Sequence, residues 1–214
     1  RLALSNGVGV LLVPMHEVPV VEGRLVVRAG ATADPAGREG LARTTADMLD
    51  EGAGGKAALA LADAIDFLGA QLESGMGSGR GMFGLGGVPV SGTESYVTLN
   101  LLSKDLDEGL ALLVECLKDC AFQQDRLDLR RDQELQDMKR RNDESAGIER
   151  YEWDYLMRGE GHWSTRYPTE ASMRSISRED LIAFRTRYLG PRNFTLAVSG
   201  DFDKAAMTGK LEKA

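Results

Sequence analysis

The chain has 214 residues, of which 43% are hydrophobic and 28% are charged, a composition typical of a globular protein with one substantial core. Its formal net charge of −7 and its 6% aromatic content argue against a nucleic-acid partner, because phosphates require a basic surface. The apolar runs are too short to cross a bilayer, so no membrane span is predicted.

Two β-branched segments, residues 7–15 and 20–30, open the chain. The four residues between them predict a hairpin or an adjacent pair of strands. The next segment, 40–52, is flanked by glycines and is apolar almost all round, which predicts a buried helix. Arg43 and Asp47 are the charged exceptions over residues 40–49.

A second helix is predicted over residues 56–68, with Gly69 just beyond it as a C-cap. Residues 70–75 and 95–103 have the composition of strands. The glycine-rich stretch between them, 75–92, lacks the Gly-Lys-Ser/Thr ending of a phosphate-binding loop, and we predict an extended loop there.

Helical spacing returns over residues 105–120, and a far more charged helix is predicted over 125–144. Ser177 and Asp180 have the spacing of a capping box, and a strand is predicted over 193–201. This order of elements indicates an α+β fold, with a mostly antiparallel sheet backed by helices on one face.

We expect residues 1–200 to form one domain and residues 201–214 to begin a following segment that is truncated. The first residue is Arg1, and no signal-peptide pattern is present. The compartment therefore stays open between periplasmic or secreted and cytoplasmic. Cys116 and Cys120, four residues apart in an apolar segment, predict core packing instead of a disulfide.

Three segments together resemble the insulysin/pitrilysin family of inverted-motif zinc peptidases, which includes mitochondrial processing peptidase and its catalytically silent relatives. They are "LSNGVGVLLVPM…VVEGRLVVRAGATADPAGREGLARTTADMLDEG", "DLDEGLALLVECLKDCAFQQDRLDLRRDQELQDM" and "HWSTRYPTEASMRSISREDLIAFRTRYLGPRNFTLAVSGDFD". The resemblance covers nearly the whole chain. It implies the N-terminal domain of a processing-peptidase-like half.

The family carries a His-x-x-Glu-His motif on its first core helix, where two histidines hold zinc and the glutamate activates the bound water. Aligned by the flanking "GLA" and "MLDEG", the five motif positions here are Arg43, Thr44, Thr45, Ala46 and Asp47. Both histidines and the glutamate are absent. The resemblance therefore implies a degenerate motif with no catalytic residue.

A glutamate on a later helix completes the family's zinc site, and the register of "DRLDLRRDQELQDM" assigns that position to Asp137. Arg43 has no lone pair to offer zinc, and Ala46 cannot accept a proton from water. We therefore expect no metal and no cofactor. Our hypothesis is that the guanidinium of Arg43 takes the place of the metal between Asp47 and Asp137.

Simpler interpretations remain open for these residues. Arg43 and Asp47 have the spacing of an ordinary i,i+4 pair on a solvated helix face. Asp137 has Arg141 one turn later, as in an exposed salt bridge. The two histidines, His16 and His162, have no further ligand at metal-binding spacing, and we predict structural roles for both.

Among possible functions, we favour a non-catalytic domain that pairs with an active His-x-x-Glu-His subunit, or with a second similar domain, to enclose and bind a peptide. Residues 70–74 and the strand from Ser95 are the two predicted edges for such a peptide. One alternative is a divergent zinc metalloendopeptidase that uses Asp47 and Asp137. Another is a stand-alone peptide-binding or scaffold domain.

Overall fold

The computed structural model describes residues 1–76, 92–140, 143 and 145–214. The strands, in chain order, are β1 (Leu2–Ala3), β2 (Gly9–Pro14), β3 (Val20–Val27), β4 (Gly52–Ala53), β5 (Lys56–Ala57), β6 (Gln71–Met76), β7 (Ser95–Leu102) and β8 (Phe194–Gly200). The helices are α1 (Leu41–Asp47), α2 (Ala58–Phe67), α3 (Leu106–Lys118), α4 (Gln124–Arg140), α5 (Ser145–Arg158), α6 (Glu170–Ser175), α7 (Arg178–Tyr188) and α8 (Lys204–Lys213). Within these described ranges, none of the helices has the length and apolarity that a bilayer span requires.

Six strands form one sheet in the order β1-β2-β8-β3-β7-β6. All neighbouring pairs are antiparallel except β2 and β8, which run parallel. The strand register places buried residues of neighbouring strands side by side. One such row, buried against the helices, consists of Val10, Leu196, Leu25 and Val97. The predicted α+β fold, with a mostly antiparallel sheet backed by helices, is confirmed.

The predicted hairpin between the first two long strands is wrong. β8 lies between β2 and β3, pairing in parallel with the first and antiparallel with the second. The segment between β2 and β3 therefore passes across the end of β8, where the Met15 N–H donates to the Gly200 carbonyl oxygen at 2.7 Å.

One of the two predicted sheet edges is correct. Among the described residues, β6 pairs only with β7, so its other side is an open edge of the sheet. β7 lies between β3 and β6, and the prediction that it forms an edge is wrong. The predicted glycine-rich loop falls, over residues 77–91, outside the part of the chain that the structure describes.

The two predicted helix caps, at the start of α7 and at the end of α2, agree with the structure. Ser177 Oγ accepts a hydrogen bond from the Asp180 N–H at 3.3 Å, and the Asp180 carboxylate accepts one from the Ser177 N–H at 2.9 Å. This is the predicted capping box at the start of α7. Gly69, beyond α2, has the left-handed φ of +59° that suits a C-cap.

The end of the described chain packs on the same core as the rest. Met207 and Leu211 of α8 are 1% and 6% exposed.

The two cysteines are packing residues, as predicted. Cys116 is fully buried, and the Cys120 thiol donates to the Cys116 carbonyl oxygen at 2.8 Å. Burial raises the pKa of Cys116 to about 12, so this thiol is a packing group and not a nucleophile.

Candidate functional site

Helix α1, which carries the degenerate motif, takes its N-terminal cap from an aspartate outside the helix. The N–H groups of Gly40 and Ala42 donate to the two carboxylate oxygens of Asp34 at 2.8 and 2.7 Å. Gly40 has a φ of +102°, and a Cβ there would lie 2.8 Å from Met173 Sδ. Burial raises the pKa of Asp34 to about 6 against the opposing effect of these hydrogen bonds. Asp34 thus fixes where α1 begins, and with it the direction of every motif position.

The three central motif positions point into the protein. Thr44, Thr45 and Ala46 are all buried. The Thr44 hydroxyl donates to the Gly40 carbonyl oxygen at 2.9 Å, and the Thr45 hydroxyl donates to that of Leu41 at 2.8 Å. Because both hydroxyls bond to their own helix, they are poorly placed to act as nucleophiles or ligands. Ala46 adds only a methyl group.

The outer motif positions, Arg43 and Asp47, form an ion pair that extends to a third residue. Arg43 Nε lies 3.6 Å from Asp47 Oδ2, and Arg43 Nη1 lies 3.8 Å from Glu134 Oε1 on α4. The Arg43 side chain is 51% exposed, whereas those of Asp47 and Glu134 are 34% and 23% exposed. One guanidinium therefore faces carboxylates from two helices.

The later-helix partner differs from the hypothesis drawn from the sequence. Arg43 pairs with Glu134, one helical turn before Asp137, which is exposed and has no ion pair with Arg43. Residues three apart share a helix face, so Glu134 and Asp137 face the same space, and the longer side chain reaches the guanidinium. The guanidinium is also half exposed, not buried between carboxylates. The assignment of Asp137 as the family's later glutamate stays a prediction.

These charged groups line one polar cavity of about 130 Å³ between α1 and α4. Its charged side chains are those of Arg43, Asp47, Arg130, Glu134 and Asp137. Two guanidiniums thus stand against three carboxylates. The positive charge of this cavity is supplied by guanidinium groups.

Asp47 also reaches the edge strand of the sheet. A Cβ at Gly75 on β6 would lie 3.2 Å from Asp47 Oδ1 and 3.1 Å from the Tyr96 hydroxyl. Burial raises the pKa of Asp47, and Arg43 opposes this shift. The glycine at this position allows α1 to approach β6 closely.

A second charged cluster, which sequence reasoning missed, holds α4 beside α1. Glu51 is only 6% exposed, and both of its carboxylate oxygens pair with arginines of α4. Arg126 Nε donates to Oε2 at 2.7 Å, while Arg130 donates to Oε1. The only available signal was an acidic residue at the end of a buried segment, followed later by two arginines with i,i+4 spacing.

The donor set of α1 does not fit the zinc ion that the family resemblance implies. Arg43 stays protonated and has no lone pair, and Ala46 has no group that can take a proton from water. Within the described ranges, no three His, Cys, Asp or Glu side chains are arranged to hold a metal ion. We therefore assign no step of chemistry to a metal at this site.

Both histidines lie away from α1 and bond to nearby residues. His16 Nδ1 lies 2.7 Å from Asp201 Oδ1 at the surface. His162 Nδ1 lies 2.7 Å from Ser164 Oγ and accepts from the Ser164 N–H at 3.3 Å, which caps the short 3-10 turn at Trp163–Thr165. These contacts agree with structural roles.

Comparison with known proteins places the fold. No protein-family model matches the sequence, and no curated protein matches it significantly. A solved structure of a Pseudomonas fluorescens peptidase M16 inactive domain matches 99% of this chain with a TM-score of 0.86 at 22% identity. The periplasmic protease PqqL of Escherichia coli also matches over 99% of the chain, with a TM-score of 0.80 at 15% identity. A Helicobacter pylori protease has a TM-score of 0.77 at 17% identity over the same share.

The chain spans about half the length of these structures or less, since it covers 48%, 23% and 48% of them respectively. The sequence identities are low, whereas the match in three dimensions extends over almost every residue of the chain. The protein described here therefore has the fold of an M16 peptidase domain.

Proposed function

We propose that the chain is a non-catalytic domain of the M16 (insulysin/pitrilysin) peptidase family that helps to enclose and bind a peptide. The observation that carries this proposal is the chemistry of α1. Arg43 and Ala46 stand where the family needs a lone-pair donor and a general base. A polar cavity of about 130 Å³ is nevertheless present beside these positions, between α1 and α4.

The partner in this proposal is an active subunit with an intact His-x-x-Glu-His motif, or a second similar domain. The lengths of the matched structures support such a partner, because the Pseudomonas fluorescens and Helicobacter pylori structures are about twice as long as this chain. A structure of the first half of PqqL also matches 99% of the chain, with a TM-score of 0.79. Each of these three structures therefore contains at least as many residues again beyond the part that matches this chain.

The peptide would bind along β6. This strand is an edge among the described residues, and an extended peptide can add to such an edge through backbone hydrogen bonds with little sequence preference. Asp47 Oδ1 would lie 3.2 Å from a Cβ at Gly75, so a peptide on β6 passes close to the cleft.

The competing function is a divergent zinc endopeptidase that uses Asp47 and Asp137. Arg43 disfavours it, because a cation held 3.6 Å from Asp47 repels a second cation there. At an effective dielectric of about 20, two unit charges at 4 Å interact by roughly 4 kcal/mol. Zinc binding at Asp47 would first require this guanidinium to move away.

The test measures turnover of a quenched fluorescent peptide with no stable structure. An M16 subunit with the intact motif is assayed alone and with this chain, and this chain is assayed alone. We expect the mixture to exceed the active subunit alone and this chain to be inactive. Turnover by this chain alone, abolished by a chelator and by Asp47→Ala, would favour the endopeptidase.

Hydrogen exchange locates the bound peptide independently of turnover. We expect amides of β6 to exchange more slowly when the peptide is present, whereas those of the internal strand β8 stay unchanged. Protection at β6 with no effect on any active subunit would instead favour a stand-alone peptide-binding domain. Absence of protection would contradict peptide binding at this edge.

A further inference from the structure

Helix α5 presents three large apolar side chains to solvent. Trp153 is 59% exposed, Leu156 is 76% exposed and Met157 is 62% exposed. Their spacing of three and four residues places them side by side on one face of the helix. Exposed apolar groups that cluster in this way mark interaction sites more often than isolated ones do.

The opposite face of α5 is held against the protein, so the direction of the apolar group is fixed. The rings of Tyr151 and Tyr155 meet that of Tyr167 edge to face, with centroids 4.2 and 5.8 Å apart. The Tyr167 hydroxyl donates to Asp154 Oδ2 at 2.8 Å, and Arg158 pairs with Asp154 at 3.6 Å. The helix cannot turn its apolar side chains inward without breaking these contacts.

Acidic residues outnumber basic ones over residues 143–160, which follow the three basic residues Lys139, Arg140 and Arg141. Residues 143–160 contain six carboxylates (Asp143, Glu144, Glu149, Glu152, Asp154, Glu160) and two guanidiniums (Arg150, Arg158), a difference of −4 within the net charge of −7. Glu149 and Glu152 are both exposed and lie on the outward side with the apolar group. We call Glu149, Glu152, Trp153, Leu156 and Met157 the α5 face.

We propose that the α5 face docks a cationic amphipathic segment of a partner protein. Apolar side chains of that segment would cover Trp153, Leu156 and Met157, and its Lys or Arg side chains would pair with Glu149 and Glu152. An exposed Trp beside charged residues is a common anchor of such interfaces. The proposal does not depend on peptide binding at β6 or on the state of the cleft.

The negative charge of the α5 face favours a basic segment over two other possible binding partners. A second copy of the chain, docked face to face, would bring glutamates against glutamates. An anionic membrane would repel the face, because basic residues are what draw helices to such surfaces. A basic and partly apolar polypeptide matches both properties of the α5 face.

The test uses the full chain with Trp163→Phe, which leaves Trp153 as the sole tryptophan. The probe is a synthetic amphipathic helix of Leu and Lys, and its control is a Leu and Glu peptide of equal length. We expect the basic peptide to shift the Trp153 emission to the blue with saturation, and salt to weaken the binding. The acidic peptide should leave the emission unchanged.

Two variants test the two halves of the face. Leu156→Ala with Met157→Ala should weaken binding by roughly tenfold or more, as loss of interface anchors does. Glu149→Gln with Glu152→Gln should weaken binding and reduce its dependence on salt. All four side chains are exposed, so the melting temperature should stay the same and a loss of binding cannot be ascribed to misfolding.

The matched control is Leu59→Ala with Phe67→Ala on α2, which removes side chains that are 75% and 90% exposed elsewhere. Binding should be unaffected by this control. The proposal would be overturned by equal binding of the acidic peptide, by equal loss in the α2 control, or by the absence of saturable binding. Self-association abolished by Leu156→Ala, or a blue shift with phosphatidylcholine vesicles equal to that with the basic peptide, would overturn it as well.

Discussion

Arg43 Nη1 lies 3.8 Å from Glu134 Oε1, which joins the degenerate motif helix to α4 through a single half-exposed guanidinium. The second contact of this guanidinium, to Asp47, is 3.6 Å long. Both distances describe ion pairs that water can enter. The link between the two helices at this point is therefore electrostatic and weak, and other contacts must hold α4 in place.

Removal of Arg43 should change stability little. Exposed ion pairs contribute about 0 to 1 kcal/mol, because solvent screens them and ordering the side chains costs entropy. We expect Arg43→Ala to lower the free energy of unfolding by less than about 1 kcal/mol in urea denaturation. A loss of roughly 3 kcal/mol or more would show that the guanidinium is buried after all.

Removal of Glu51 should be much more damaging. Its buried carboxylate pairs with Arg126 and Arg130, and breaking a buried pair from one side leaves uncompensated charge. We expect Glu51→Ala to lower the free energy of unfolding by roughly 3 kcal/mol. Arg43→Ala, measured in the same way, is the matched control. Equal effects of the two substitutions would contradict a clamp at Glu51.

Asp50 should make the protein less stable as the pH rises. Burial raises the pKa of this carboxyl from 3.8 to about 6, so between these values the folded state holds a proton that the unfolded state has released. Stability from this group is therefore present below about pH 4 and lost as the pH rises through 6. For a shift of this size the loss is roughly 2 to 3 kcal/mol.

Asp50→Asn removes this ionisation. We expect the variant to exceed the wild type in free energy of unfolding at pH 7.5 and to match it near pH 4, as measured by urea denaturation at each pH. The exposed Asp63→Asn on α2 is the control and should show no such difference. Parallel pH profiles of wild type and Asp50→Asn would refute the effect.

The cleft should accept zinc once its motif is restored. Arg43→His, Ala46→Glu and Asp47→His together return the family's residues to α1 and remove the competing guanidinium. We expect the purified triple variant to hold stoichiometric zinc by elemental analysis, and the additional change Asp137→Ala to abolish it. If Glu134→Ala abolished zinc binding and Asp137→Ala did not, the register assigned to α4 would be off by one turn.

Local sequence signals were sufficient for most of the elements. Gly40 before the first core helix, the spacing of Ser177 and Asp180, and the position of Gly69 each act within a few residues, and all three agree with the structure. Gly52 does not end that helix, which was predicted over residues 40–52 but stops at Asp47. The sequence also distinguishes Arg43 and Asp47 as polar exceptions on the first core helix. Thr44, Thr45 and Ala46 are buried, while Arg43 and Asp47 face the cleft.

The failures concern contacts between distant parts of the chain. The pairing of β2 with β8 joins residues 9–14 to residues 195–200, and the short connection between β2 and β3 gives no sign that another strand lies between them. The choice of Glu134 over Asp137 depends on the reach of one side chain on a correctly predicted helix. The pairing of Glu51 with Arg126 and Arg130 likewise appears only when α4 packs beside α1.

The most direct test of the central claim is the metal content and peptidase activity of the purified chain without a partner. After incubation with excess zinc and removal of free metal, we expect substoichiometric zinc and no hydrolysis of a quenched fluorescent peptide. Stoichiometric zinc together with hydrolysis that a chelator stops and Asp47→Ala abolishes would contradict the account.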